Sequence, residues 1–183
     1  MKREVNFLTL TAFLIALGVL LPIVFHMVSL GGPMFLPMHI PVLVAGFLLP
    51  WQYAALVGAI TPLLSSFLTG MPPVPTVFTM TAELLTYAVT TSLLYRSFKK
   101  NTYVSMISAM LIGRLVSILA NWILFSFVLG IPFKLTSFLY TMLVIGLPGI
   151  VIQLLTIPPL VTLLTRVQNT IREKARNMAT LKG

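Results

Sequence analysis

The chain has 183 residues, 58% of them hydrophobic and only 8% charged, with a mean hydropathy of +1.03, which excludes an ordinary soluble domain. A net charge of +9 would suggest nucleic acid in a soluble protein, but the basic residues gather at the ends of apolar runs and in the tail. Membrane topology and anionic lipid account for that placement, so no nucleic-acid partner is expected. The absence of cysteine excludes thiol chemistry, disulfides and thiolate metal sites.

Several continuous apolar runs approach the roughly 20 residues that cross a hydrocarbon core. They predict an all-α integral membrane protein, a compact single-domain bundle of six transmembrane helices. A β-barrel would need alternating rather than continuous apolar residues.

The first span is expected over 7–25. Lys2 and Arg3 precede it as in a signal peptide, but no small-x-small cleavage site follows, so it is kept as a membrane helix. Ala12 and Ala16 share one of its faces and would admit close approach of another helix, or simply pack internally. A loop is expected from His26 to Met38, then a short span over 39–49 and a tight turn at Pro50-Trp51-Gln52. The third span, 53–68, contains Pro62, which should kink it or interrupt its hydrogen bonds.

The loop from Thr69 to Val74 leads to a fourth span, 75–95, with Pro75 suited to its first turn. Arg96, Lys99 and Lys100 end it. The fifth span covers 102–129 and closes at Gly130-Ile131-Pro132. The sixth, 138–166, carries Pro148, Pro158 and Pro159, and 167–183 forms a basic tail, either a surface helix or a frayed end. Lys2, Arg3, the Arg96 cluster and the tail fall on one side of this arrangement and Lys134 alone on the other, which places both termini in the cytoplasm.

Glu83, Arg114, Asn121 and Gln153 lie inside the spans. Charges at mid-bilayer cost roughly 2.5–3.5 kcal/mol on insertion scales and normally face a bundle interior. Helical phase puts Thr76, Met80, Glu83 and Tyr87 on one face, and Arg114, Ser117 and Asn121 on another. Counting about 1.5 Å per residue from the outer helix ends sets Glu83 and Asn121 about 12 Å deep, Tyr87 about 18 Å, and Arg114 and Gln153 about 22 Å. Two arrangements follow. Glu83 and Arg114 form a structural ion pair, which their difference in depth disfavours. Alternatively, Glu83 and Asn121 sit above Arg114, Tyr87 and Gln153 in a polar well for a small molecule.

His26 and His39 flank the first outer loop without carboxylates beside them, a poor metal site. His39 is the better ligand contact. Trp122 offers either a stacking surface for a ring or a lipid-facing side chain. No phosphate-binding glycine loop, His-Glu-x-x-His or paired catalytic carboxylate is present, and Ser65 and Ser66 lack a base. Neither an enzyme nor a cofactor or metal is expected.

Ala12-xxx-Ala16, Met38-His39-Ile40-Pro41-Val42-Leu43-Val44-Ala45-Gly46-Phe47, Thr61-Pro62-Leu63-Leu64-Ser65-Ser66, Gly70-Met71-Pro72-Pro73, Glu83-Leu84-x-x-Tyr87 and Gly113-Arg114 occur in this order. The whole resembles the substrate-binding S components of energy-coupling factor (ECF) vitamin transporters, subunits of prokaryotic cell membranes. The resemblance implies a high-affinity vitamin-binding subunit that works with a coupling membrane subunit and two ATP-binding cassette ATPases. It implies docking through Ala12 and Ala16, and a ligand site near the outer side at Glu83, Tyr87, Asn121, Trp122 and Gln153. His39 and Met71 join that site from the loops, with Arg114 beneath. Pantothenate, cobalamin and pyrimidine or pyridoxine-like precursors all remain open, Arg114 favouring an anion such as pantothenate. An assembly subunit and an independent secondary transporter are the alternatives.

Overall fold

The structure, a computed structural model, describes residues 2–27 and 32–180, with side chains at residues 4–25, 27, 34–167 and 170. The charges expected at Lys2, Arg3 and along the basic tail, the His26 side chain and loop residues 28–31 lie outside these. All regular structure among the described residues is helical. Helices α1 (Lys2–Met27), α2 (Gly32–Phe35), α3 (His39–Leu48), α4 (Trp51–Thr69) and α5 (Thr76–Ser92) are followed by α6 (Thr102–Ile123), α7 (Leu135–Leu139) and α8 (Leu147–Thr180). π-Helical turns extend α5 through Ser97, α6 through Val128 and α7 through Ile145. Five helices are long and apolar enough to cross a membrane, while α3 and the segment Leu135–Ile145 are apolar but shorter.

Local chemistry explains the boundaries. The Asn101 side chain caps α6 by accepting from the Val104 N–H at 2.7 Å, satisfying a donor that the first helical turn leaves unpaired. Gly70 ends α4 with φ +73°, a left-handed position that suits glycine, and its N–H reaches the Ser66 carbonyl. Helix α4 continues past Pro62, which has no N–H to donate to the ladder. Two expectations need correction. The loop from His26 to Met38 contains the short helix α2. The expected continuous span over 138–166 is broken at Gly146, because Pro148 has no N–H to carry the hydrogen-bond ladder across and instead occupies the first turn of α8. The same helix then continues to Thr180, well into the tail.

Helix α5 is the centre of the bundle, packed against α3, α4 and α6. Two glycines set its spacing from its long neighbours. A Cβ on Gly58 would lie 2.6 Å from the Leu84 carbonyl oxygen, and one on Gly113 would overlap the Tyr87 ring. Only glycine permits these approaches, so the register of α6 on α5 is fixed where Gly113 meets Tyr87. The core around them is apolar, with Val42, Leu43, Phe47, Val57, Leu84 and Met106 fully or almost fully buried. Leu111, Leu115, Leu119, Leu155 and Leu163 are left exposed, as expected of surfaces that face lipid.

Helix α3 rises about 15 Å, half of a hydrocarbon core. Its C-terminal end is tied to the end of α5: Ser92 Oγ donates to the Leu49 carbonyl and Arg96 Nη1 to the Leu48 carbonyl, both at 2.8 Å. These donors satisfy carbonyls that a helix end leaves open. Anchored there, α3 fills only one half of the bundle. The other half holds a cavity.

Candidate functional site

His39 begins α3, and its nine-residue distance to Leu48 matches that from Glu83 to Ser92 on the neighbouring α5. Because the two helices are joined at the Ser92 end, both side chains stand about 13.5 Å above the junction. They face one another there: His39 Nε2 lies 3.7 Å from Glu83 Oε1. The chain turns into α3 through Leu36, whose φ of 50° is left-handed. That conformation costs a non-glycine residue about 1–2 kcal/mol.

Glu83 Oε1 is a point of convergence. Arg114 Nη1 lies 2.9 Å from it, and the Tyr87 hydroxyl donates to it at 3.0 Å. The carboxylate side chain is 7% exposed and the arginine 17%. The pair overturns the expected separation of these residues by depth. Residue counting runs along each helix separately, whereas the actual level of Arg114 is set by its neighbour Gly113, which sits on Tyr87 one turn from Glu83.

Glu83, Arg114 and His39 line a cavity of about 460 Å³, within the range of sites that hold small molecules. Ser117 and Asn121 line it from the same face of α6 as Arg114, as helical phase predicts. Asn121 is oriented by its own helix, Nδ2 donating to the Ser117 carbonyl at 2.8 Å. Thr76, Thr79 and Met80 complete the α5 wall. Met71, Pro72 and Pro73 contribute the loop between α4 and α5. That loop is held by two adjacent serines: Ser65 Oγ donates to the Met71 carbonyl and Ser66 Oγ to the Pro72 carbonyl, both at 2.7 Å.

Other expected residues fall elsewhere. Tyr87 is fully buried behind Glu83 and does not line the cavity. Gln153 is also fully buried and outside the lining, with neither amide atom hydrogen bonded among the described residues. Trp122 is half exposed, stacked edge-on against Phe127 and away from the cavity. Its neighbour Asn121 points in, and a 100° step along the helix carries Trp122 out. Ala12 and Ala16 are exposed on α1 beside Val5, Leu8 and Leu20, forming an open stripe.

Sequence reasoning missed Phe138, Thr141 and Met142, which enter the lining from α7 and its π-helical turn. Their segment reads as the start of an ordinary span, and the break at Gly146 that turns it toward the cavity is visible only as Gly146-Leu147-Pro148. Among the described residues no cluster of potential metal ligands occurs.

No curated protein and no solved structure matches the chain. A family model described as ECF transporter, substrate-specific component, matches residues 6–161. That stretch contains every residue lining the cavity, from Pro22 to Gly146. On this match, the chain belongs to the substrate-specific components of ECF transporters.

Proposed function

We propose that this substrate-binding subunit captures a vitamin or vitamin precursor from outside the cell in the cavity around Glu83, Arg114, His39 and Asn121. It then delivers the ligand by docking on a coupling membrane subunit driven by two ATP-binding cassette ATPases. The observation that carries the reading is the cavity itself, about 460 Å³ in volume, walled by apolar side chains and floored by a buried cluster of polar ones. Stable folding alone does not require such a space beside an expensive buried charge pair. The exposed Ala12 and Ala16 stripe suits the docking partner, since small residues allow helices to approach closely. The distribution of Lys and Arg supports six crossings with both termini in the cytoplasm and the loop at Met71–Pro73 outside, α3 counting as a short sixth crossing.

Pantothenate is the anion that a free Arg114 would suit. With the guanidinium on Glu83, a carboxylate ligand reaches it only by sharing or displacing Glu83. Stripping one partner from a buried pair costs about 3–5 kcal/mol. Pantothenate is therefore the sharpest member of any vitamin panel.

Native mass spectrometry of the purified protein tests the proposal, with a co-purified vitamin as the expected result. An empty protein that binds no vitamin offered to it would refute the reading. A second reading, an assembly subunit with purely structural charges, is favoured by the 2.9 Å Glu83–Arg114 contact. Asn121→Ala separates the two because Asn121 is no part of that pair. Lost binding with an intact fold supports the site, and lost folding alone supports the scaffold. Uptake by this chain reconstituted without any ATPase would point instead to an independent transporter.

A further inference from the structure

The charges facing the cavity cancel. Among the described residues that line it, Glu83 and Arg114 carry the formal charges, and they lie 2.9 Å apart. An acidic ligand would turn this pair into a cluster of two negative groups around one positive group. The rest of the lining offers the hydroxyls and amide of Thr76, Thr79, Ser117, Asn121 and Thr141 but no second lysine or arginine to balance the excess.

His39 lines the cavity without opening a ring nitrogen to it. It is 2% exposed, and neither ring nitrogen has a hydrogen-bond partner among the described residues. At 3.7 Å its Nε2 is too far from Glu83 for a hydrogen bond. A neutral imidazole presents one donor and one acceptor. Both nitrogens are closed off by protein, so the hydrogen-bonding groups that a ligand meets are those of the rest of the lining, Thr76, Ser117 and Asn121 among them.

The remaining wall is soft. Met38, Met71, Met80 and Met142 come from four separate segments and are joined by Phe138. Thioethers pack favourably at the edges of aromatic rings and adapt to their outline.

We infer that the cavity selects an uncharged heterocyclic ring, packed on the methionines and Phe138 and hydrogen bonded by Ser117 and Asn121, over ligands that carry a carboxylate or phosphate. The inference rests on the cavity being the vitamin site and names the ligand class that the site prefers.

Titration calorimetry on the purified protein in lipid nanodiscs tests it with matched pairs that share a ring and differ in charge. The pairs are nicotinamide with nicotinate, pyridoxine with pyridoxine 5′-phosphate, and riboflavin with its monophosphate. Pantothenate and biotin serve as acids of other shapes, and panthenol as an uncharged compound without a ring. The tightest ligand should be an uncharged ring, bound at least about tenfold more tightly than its acidic counterpart, about 1.4 kcal/mol. Tightest binding by any acid, or by panthenol, overturns the inference while leaving the vitamin site standing. Binding by no member of the panel overturns the inference, while the native mass spectrum decides the vitamin site separately.

Glu83→Gln supplies an independent arm by freeing Arg114. It should raise the affinity for the acidic member of the preferred pair about tenfold relative to the uncharged one. The double variant Glu83→Gln/Arg114→Met should restore the preference for the uncharged ring. An unchanged ratio in Glu83→Gln refutes the role of the charge pair. If that variant does not yield monodisperse protein, the wild-type panel decides.

Discussion

Replacing Arg114 with methionine should destabilise the ligand-free protein, and replacing Glu83 as well should restore most of the loss. Methionine keeps much of the arginine's apolar length, so the change removes charge more than volume. In the wild type the Glu83 carboxylate, 7% exposed, is held by Arg114 at 2.9 Å and Tyr87 at 3.0 Å, with His39 at 3.7 Å. With charge centres about 4 Å apart and an effective dielectric of about 20, the attraction lost is about 4 kcal/mol. Removing one partner of a buried pair measures about 3–5 kcal/mol in other proteins, in agreement. For a chain of this length that loss lowers the melting temperature by roughly 10 °C. Fluorescence-detected size exclusion after heating, on purified ligand-free protein, reads the shift directly. Glu83→Gln/Arg114→Met should recover at least half of it, because an uncharged amide can still accept from Tyr87. An Arg114→Met variant as stable as the wild type would refute this account of the pair. A double variant no better than the single one would do so equally.

Gly113→Ala should cost about 2 kcal/mol in the same thermal assay, because the added methyl overlaps a fully buried Tyr87 ring and the helices must part. Unaltered stability would mean that α6 does not sit where Gly113 meets Tyr87. Ser65→Ala/Ser66→Ala should release the Met71–Pro73 segment, with each hydroxyl worth about 1 kcal/mol. Vitamin dissociation followed by stopped flow should then quicken several-fold, and an unchanged dissociation rate would count against the loop's control of the site. Ala12→Trp/Ala16→Trp should leave ligand affinity intact but abolish uptake in cells or vesicles that contain the complete transporter. Reduced affinity in that variant would show that the α1 stripe serves the binding fold instead.

Hydrophobic length and helical phase, both readable along a single helix, determined the all-helical membrane character and the inward faces of Thr76–Met80–Glu83 and of Arg114–Ser117–Asn121. These properties depend on the 3.6-residue repeat and on the cost of charge in lipid, and neither needs a neighbouring helix. The order of short motifs such as Met38-His39-Ile40-Pro41 and Gly70-Met71-Pro72-Pro73 carried the family resemblance in the same way. Tertiary packing decided the rest. The level at which Arg114 meets Glu83 follows from Gly113 seated on Tyr87, a contact between elements that no count along either helix contains. Gln153 lies outside the cavity lining because neighbouring helices cover its side of α8. The cavity exists because α3 is short and its lower end is pinned by Ser92 and Arg96, leaving space above His39 that the other helices enclose. An empty volume belongs to several chain segments at once, and so it becomes visible only when they are assembled.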